Sequence, residues 1–263
     1  MYDSAVTKSP DFPALPTDLP SGRLIRATEA DSPGEGRAVL WVCDRRQLRL
    51  GELWSRLYDQ RAGTGLYPLL LETPTPYDED EQPDAQSWHN ANLGYTPVEK
   101  IDALDPYEVL RELWPSESES VYAEIPSQWL HLAPEDTDVG PAARELARSL
   151  GFGTLRLIGL VPTTSGADAL TLCGWHGPLN LTDSTEAISA VVRSWEQRFG
   201  AQVVMIGLDT LHLSVAAPPT SHAQALEIAA EHLAFCPDNF DFGTLDDYAT
   251  KLIGQTRWNF WWD

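Results

Sequence analysis

The chain lacks the short patterns that mark common active sites. It holds no G-x-x-x-x-G-K-[ST] phosphate loop, no H-E-x-x-H zinc helix and no G-x-S-x-G nucleophile elbow. Gly151-Phe-Gly153 follows a helix pattern rather than a strand and lacks the third glycine of a dinucleotide fingerprint, so it reads as a helix stop. Cysteine is scarce: Cys43, Cys173 and Cys236 are odd in number and far apart, and no C-x-x-C occurs. That pattern argues against a disulfide framework or a zinc finger. No run approaches the ~20 apolar residues of a membrane span, and no secretory leader is visible. A reducing, cytoplasmic setting is the expectation.

Basic residues are few as well. Thirty-nine acids face eighteen bases, for a formal charge of −21. Such a surface repels nucleic acid and anionic membranes. It attracts a basic protein partner, or it serves solubility alone. Arg45, Arg46 and Arg49 form the tightest basic cluster.

What is present is an unusual end. Trp258, Phe260, Trp261 and Trp262 crowd the last six residues. Chain ends are ordinarily polar and frayed, and exposed aromatics drive association. This end is therefore expected to dock as a strand that completes a core.

Upstream, prolines at 10, 13, 16 and 20 predict an extended arm over 1–20. Residues 37–43 read as a buried strand. Leu50, Leu53, Trp54, Leu57 and Tyr58 at helical spacing predict a helix over 48–62, stopped by Gly63–Gly65. Residues 66–72 form the next strand, which Pro68 either pushes toward a sheet edge or limits in its ladder. Acids and prolines over 73–99 predict a solvated, mobile excursion. A divalent cation at Asp78–Glu81 is the weaker reading, because EF-hand spacing is absent. Asp105-Pro106 opens a short helix, and 115–120 reads as a linker.

The remainder predicts a helix over 141–150, then strands 154–161 and 167–174 joined as a hairpin. A helix follows from Asp183 to Phe199, then a hairpin over 203–216. Helices capped by Ser221 and Thr244 and the aromatic strand finish the chain. The predicted fold class is α+β: an antiparallel or mixed sheet built from hairpins, with helices packed on it, preceded by a smaller strand–helix–strand region. The expected division is an arm at 1–20, an N-terminal α/β region at 21–118 and a C-terminal α+β domain at 119–263.

Several stretches resemble a known family. Gly159–Pro162, Gly174-Trp-His-Gly177, Leu211–Pro219, Ala230–Asn239 and Trp258–Asp263 are similar, in order, to the bacterial domain of unknown function 4253 family, over roughly 153–263. Gly65–Leu71 is similar to the leading region of actinobacterial members. The resemblance implies a C-terminal block that includes the aromatic end. It implies no catalytic residue.

The densest group of reactive side chains is His232, Cys236, Asp238 and Asn239. One helical turn separates His232 from Cys236, so the imidazole could take the thiol proton, with Asp238 or Asn239 orienting the ring. The competing reading makes Cys236 a small buried hydrophobe, because Pro237 pulls it out of the helix. The same pair with His212 or His222 would be a zinc set only if three segments converged, so no metal or other cofactor is assigned. Trp175, His176 and Asn180 lie on a loop and offer a stacking face with polar handles, although Trp175 could equally plug the core. His212 and Asn239 complete the binding candidates. The leading expectation is a non-enzymatic protein-interaction module, of immunity or regulatory type. The alternatives are a small-molecule hydrolase or transferase using Cys236 and His232, or a ligand sensor around Trp175.

Overall fold

A computed structural model describes residues 12–28, 36–73, 86–89, 91, 93–115, 132–152, 156–240 and 243–263. The elements run β1 (Gly22–Arg26), β2 (Ala38–Cys43), α1 (Leu50–Thr64), β3 (Tyr67–Glu72), α2 (Gln86–His89), α3 (Glu99–Asp102), α4 (Pro106–Glu112), α5 (Gly140–Gly151) and β4 (Arg156–Val161). There follow α6 (Gly166–Leu172), α7 (Thr185–Phe199), β5 (Ala201–Ile206), β6 (Thr210–Val215), α8 (His222–Phe235), a 3-10 turn (Pro237–Phe240), α9 (Leu245–Leu252) and β7 (Arg257–Trp261).

Local chemistry explains most boundaries. Ser165, Ser184, Ser221 and Thr244 each accept a backbone N–H from the first turn of α6, α7, α8 and α9. Thr244 and Asp247 form a full capping box. Asp105 caps α4, with Pro106 as its first residue. Gly200 ends α7 at φ 59°, a left-handed conformation that favours glycine.

Among the described residues, all strands join one seven-stranded sheet in the order β1-β2-β4-β3-β5-β6-β7. The β3–β5 ladder is parallel and the others are antiparallel, so the fold is α+β with a mixed sheet. β4 lies between β2 and β3, which places strands from 21–118 and from 119–263 side by side over a shared core. Gly159 makes this close approach possible. A Cβ there would stand 2.8 Å from Leu71 Cδ1 and 3.0 Å from Leu40 Cδ1. α1 and α5 pack on each other and against the sheet; α6 packs on α7, and α8 on α9.

One expectation fails, and a second is decided between its alternatives. Residues 167–174 are not a strand: α6 occupies Gly166–Leu172. Ser165 caps it, and Ala167, Ala169, Leu170 and Thr171 are all buried, so its apolar run shows no one-sided helical stripe. β4 therefore pairs with β2 and β3 instead of with a hairpin neighbour. Of the two outcomes open to Pro68, the edge position does not occur and the limited ladder does. β3 is central, and its ladder to β5 uses only Leu70 and Leu71, so Pro68 stands outside that ladder. The Pro68 carbonyl instead accepts Trp54 Nε1–H at 2.9 Å.

At the described end of the arm, Phe12 is buried against the core. Residues 74–85 of the predicted excursion, and 116–131 with most of the predicted linker, lie outside the described residues. Within 86–99, Trp88 and Leu93 are buried, and Trp88 Nε1–H donates to the Glu72 carbonyl at 2.7 Å. Among the described residues, no helix is long and apolar enough to cross a membrane.

Candidate functional site

α8 carries His232 in its last turn and stops at Cys236, whose φ of −151° and ψ of 83° are extended. Pro237 accounts for that break, since proline disfavours the helical conformation in the residue before it. Cys236 N–H still donates to the His232 carbonyl at 2.8 Å, but the thiol turns elsewhere and donates to the Trp261 carbonyl at 3.0 Å. His232 is fully buried and edge-on to Trp195, Trp258 and Phe260. Its Nδ1 meets the Tyr248 hydroxyl at 3.1 Å. Its Nε2, like Trp258 Nε1, is buried without a hydrogen-bond partner.

Burial sets the electrostatics. It pushes the Cys236 thiol up to about 12. Burial, and then the Arg198 charge, push His232 down to about 3. At neutral pH both groups are neutral, and proton transfer from thiol to imidazole is strongly uphill. A sealed, protonated thiol is a poor nucleophile.

The neighbouring candidates converge on the aromatic end. Val215 N–H donates to Thr256 O at 2.9 Å and Trp262 N–H donates to Asp209 O at 3.0 Å. Antiparallel alternation then turns the backbone groups of Trp258 and Phe260 toward β6, and those of Asn259 and Trp261 to the outer edge. Asn239 Nδ2–H donates to the Asn259 carbonyl at 2.8 Å, beside the Cys236–Trp261 bond. Asp238 Oδ2 accepts Asp263 N–H at 3.0 Å. Cys-Pro-Asp-Asn thus caps the free side of β7.

The 174–180 loop serves the same end. Trp175 is buried and edge-on to Trp262, and its Nε1–H donates to the Gly207 carbonyl at 2.8 Å. Asn180 Nδ2–H donates to the Asp263 carbonyl, while His176 is exposed. His212, on β6, meets Asn259 Oδ1 through Nδ1 at 2.7 Å, and burial lowers its pKa. His222 is removed from this group and pairs with Asp246 at 3.1 Å. Among the described residues, no cluster of three or more His, Cys, Asp or Glu is placed to hold a metal ion.

Sequence reasoning missed two polar centres. Arg198 donates to both Glu231 oxygens at 2.8 and 2.7 Å, and Trp195 Nε1–H adds a third bond at 2.7 Å. This buried pair joins α7 to α8. Glu196 accepts Ala167 N–H at 3.0 Å and Ser165 Oγ–H at 3.1 Å, and burial raises its carboxyl to about 7. Beside it, Arg193 bridges Asp168 at 2.5 Å and Asp102 at 2.6 Å. No local pattern announces these contacts, because each joins separate helices.

Besides a hollow of about 610 Å³ lined by residues 14–18 and by Asp59, Gln60, Gly63 and Thr64, two further surface hollows stand out. One, of about 160 Å³, lies between the ends of α1 and α5 and is lined by Leu48, Leu50, Gly51, Arg148, Gly151 and Phe152. The other, of about 440 Å³, lies between α9 and β7. Neither is lined by Cys236, His232 or Trp175.

Residues 157–263 match the model of the family described as Domain of unknown function (DUF4253). No curated protein and no solved structure matches the chain. The matched segment holds most of β4 together with β5, β6 and β7, yet β3 stands between β4 and β5. The family segment of this chain therefore closes its sheet through residues 67–72, outside the match.

Proposed function

We propose that this protein is a non-enzymatic module that binds another protein. The observation that carries the reading is the pair Leu48 and Phe152, 97% and 90% exposed on the rim of one cleft. They are the most exposed large apolar side chains among the described residues, in a molecule that buries a continuous core elsewhere. Exposed apolar groups with a polar rim mark contact surfaces. Arg49, Glu52 and Arg148 supply that rim. The formal charge of −21 steers a basic partner from a distance; at the cleft itself, where Arg49 and Arg148 outnumber Glu52, its contact is an apolar side chain placed between Leu48 and Phe152. An immunity or regulatory role is consistent with such binding. The sealed Cys236 and His232 argue against the hydrolase or transferase alternative, and the buried Trp175 against a sensor that stacks on its face.

The test is affinity capture from the native host with the wild-type chain and with the Leu48→Ser/Phe152→Ser variant. A basic protein retained near stoichiometry by wild type, released by salt and lost from the variant supports the reading. Retention indifferent to both substitutions and to salt would sink it.

A further inference from the structure

The hollow between α9 and β7 has a character opposite to that of the whole molecule. Its lining comprises Asn239, Tyr248, Lys251, Leu252, Gln255, Arg257, Trp258 and Asn259, with no carboxylate among them. In a chain of 39 acids and 18 bases, a hollow with two cations and three amides is locally reversed in sign. Lys251 is one of three lysines in the sequence. It is exposed and forms no ion pair among the described residues. The nearest acid on its own helix, Asp247, is occupied by the Thr244 cap through both N–H and Oγ–H.

The surrounding groups are held in place. Arg257 is braced by one bond, Nη2–H to Ser149 Oγ at 2.9 Å. Gly254, at φ 71°, makes the turn that brings Gln255 past the end of α9, and Gln255 N–H donates to Leu252 O at 3.0 Å. Asn259 receives His212 on its Oδ1, which leaves its Nδ2 as a donor on the exposed edge of β7. The Tyr248 hydroxyl, backed by His232 and Asn239, completes one wall. Every charged group lining the hollow is a cation, and the side-chain amides of Gln255 and Asn259 have donors to offer, whereas that of Asn239 is engaged with Asn259 O and Tyr248, so the complementary ligand is an acceptor with negative charge.

We propose that the hollow between α9 and β7 binds a small ligand bearing an oxyanion, a carboxylate or a phosphate, through Lys251, Arg257 and the side-chain amides of Gln255 and Asn259. At about 440 Å³ it has the size of a small-molecule site rather than of a macromolecular interface.

The test uses the full chain alone, labelled with nitrogen-15, so failure here leaves the protein-binding reading untouched. Inorganic phosphate and succinate are titrated separately at constant ionic strength, with chloride as the control. The expected result is saturable movement of the side-chain amide signals of Gln255 and Asn259 with at least one probe. Lys251→Gln should weaken that response about tenfold, which is the effect of one charge-assisted contact. Lys251 bears no structural bond, so the variant should fold. Arg257→Gln, scored only if its melting temperature is kept, should do the same. A response to phosphate alone identifies the ligand as a phosphate, and a response to succinate alone identifies a carboxylate. Movement that matches chloride, stays linear in concentration or survives Lys251→Gln overturns the proposal.

Discussion

β1 and β7 are the two outer strands of one sheet, and they solve the same problem differently. An outer strand offers unpaired backbone groups to any passing chain. β7 buries Trp258 and Phe260, and side chains of Cys236 and Asn239 occupy its outward carbonyls. β1 buries only Ile25 among its five residues and carries Arg23 and Arg26, which remain exposed. One edge is closed by specific hydrogen bonds and the other, of the same five-residue length, is guarded by charge. The contrast teaches that a motif rich in reactive side chains can be edge protection. Cys236 is useful here as a thiol because a thiol donates; a thiolate would lose the bond to Trp261.

The strongest way to break the comparison is to remove β7. Deleting 257–263 takes Trp258, Phe260 and Trp262 from the core. Each such ring is worth roughly 1.5–3 kcal/mol, against a total domain stability of ~5–15 kcal/mol. The truncated protein should show no cooperative thermal transition; an unchanged melting temperature would show that β7 is dispensable.

Acid should attack the β7 side next. His232 has a folded pKa of about 3 against an ordinary 6.5, so the unfolded chain binds its proton first. The His232 contribution should be intact above pH 6.5 and fall away as pH drops toward 3, by an amount on the order of 4 kcal/mol. Denaturant melts of wild type and His232→Phe across that range test this, and the variant should lose the slope. Glu196 acts with the opposite sign. Its folded pKa of about 7 exceeds the ordinary 4.5, so its contribution is full below 4.5 and lost as pH rises through 7. Glu196→Gln should flatten that upper limb alone.

The platform behind β7 can be tested through the buried ion pair. Glu231→Gln removes the charge that Arg198 faces at 5% and 1% side-chain exposure. Breaking such a pair costs about 3–5 kcal/mol. A loss under 1 kcal/mol would mean that the guanidinium finds other acceptors.

The smallest effects should separate the two edges themselves. Asn239→Ala uncaps the Asn259 carbonyl and should cost about 1–3 kcal/mol, with self-association visible by analytical ultracentrifugation. Leu24→Ser on β1, where Leu24 is 39% exposed, should change stability by less than about 0.5 kcal/mol and leave the chain as associated as before. Equal responses at the two edges would erase the distinction.

Much of the local structure was legible in the sequence. Ser221, Thr244 and Asp105 cap helices as their spacing predicts, and 203–216 contains the β5–β6 hairpin. The docked aromatic end was legible too. α6 was not, because a short helix buried on nearly every side shows neither a two-residue nor a helical period. The central place of β3 was hidden by Pro68, whose edge preference yields when the neighbouring ladder begins two residues later.

What the sequence by itself determined is therefore most of the elements, several of their caps and the need to bury the end. These are choices made by neighbours within a turn or a strand. Only the tertiary structure decided that β4 enters between β2 and β3, and that Cys236, Asn239, Asp238 and Asn180 all serve the last five residues. The same holds for the opposed shifts of His232 and Glu196. Those outcomes depend on burial and on partners far away along the chain. Desolvation and hydrogen bonding act through space, and no window of sequence contains the groups that meet.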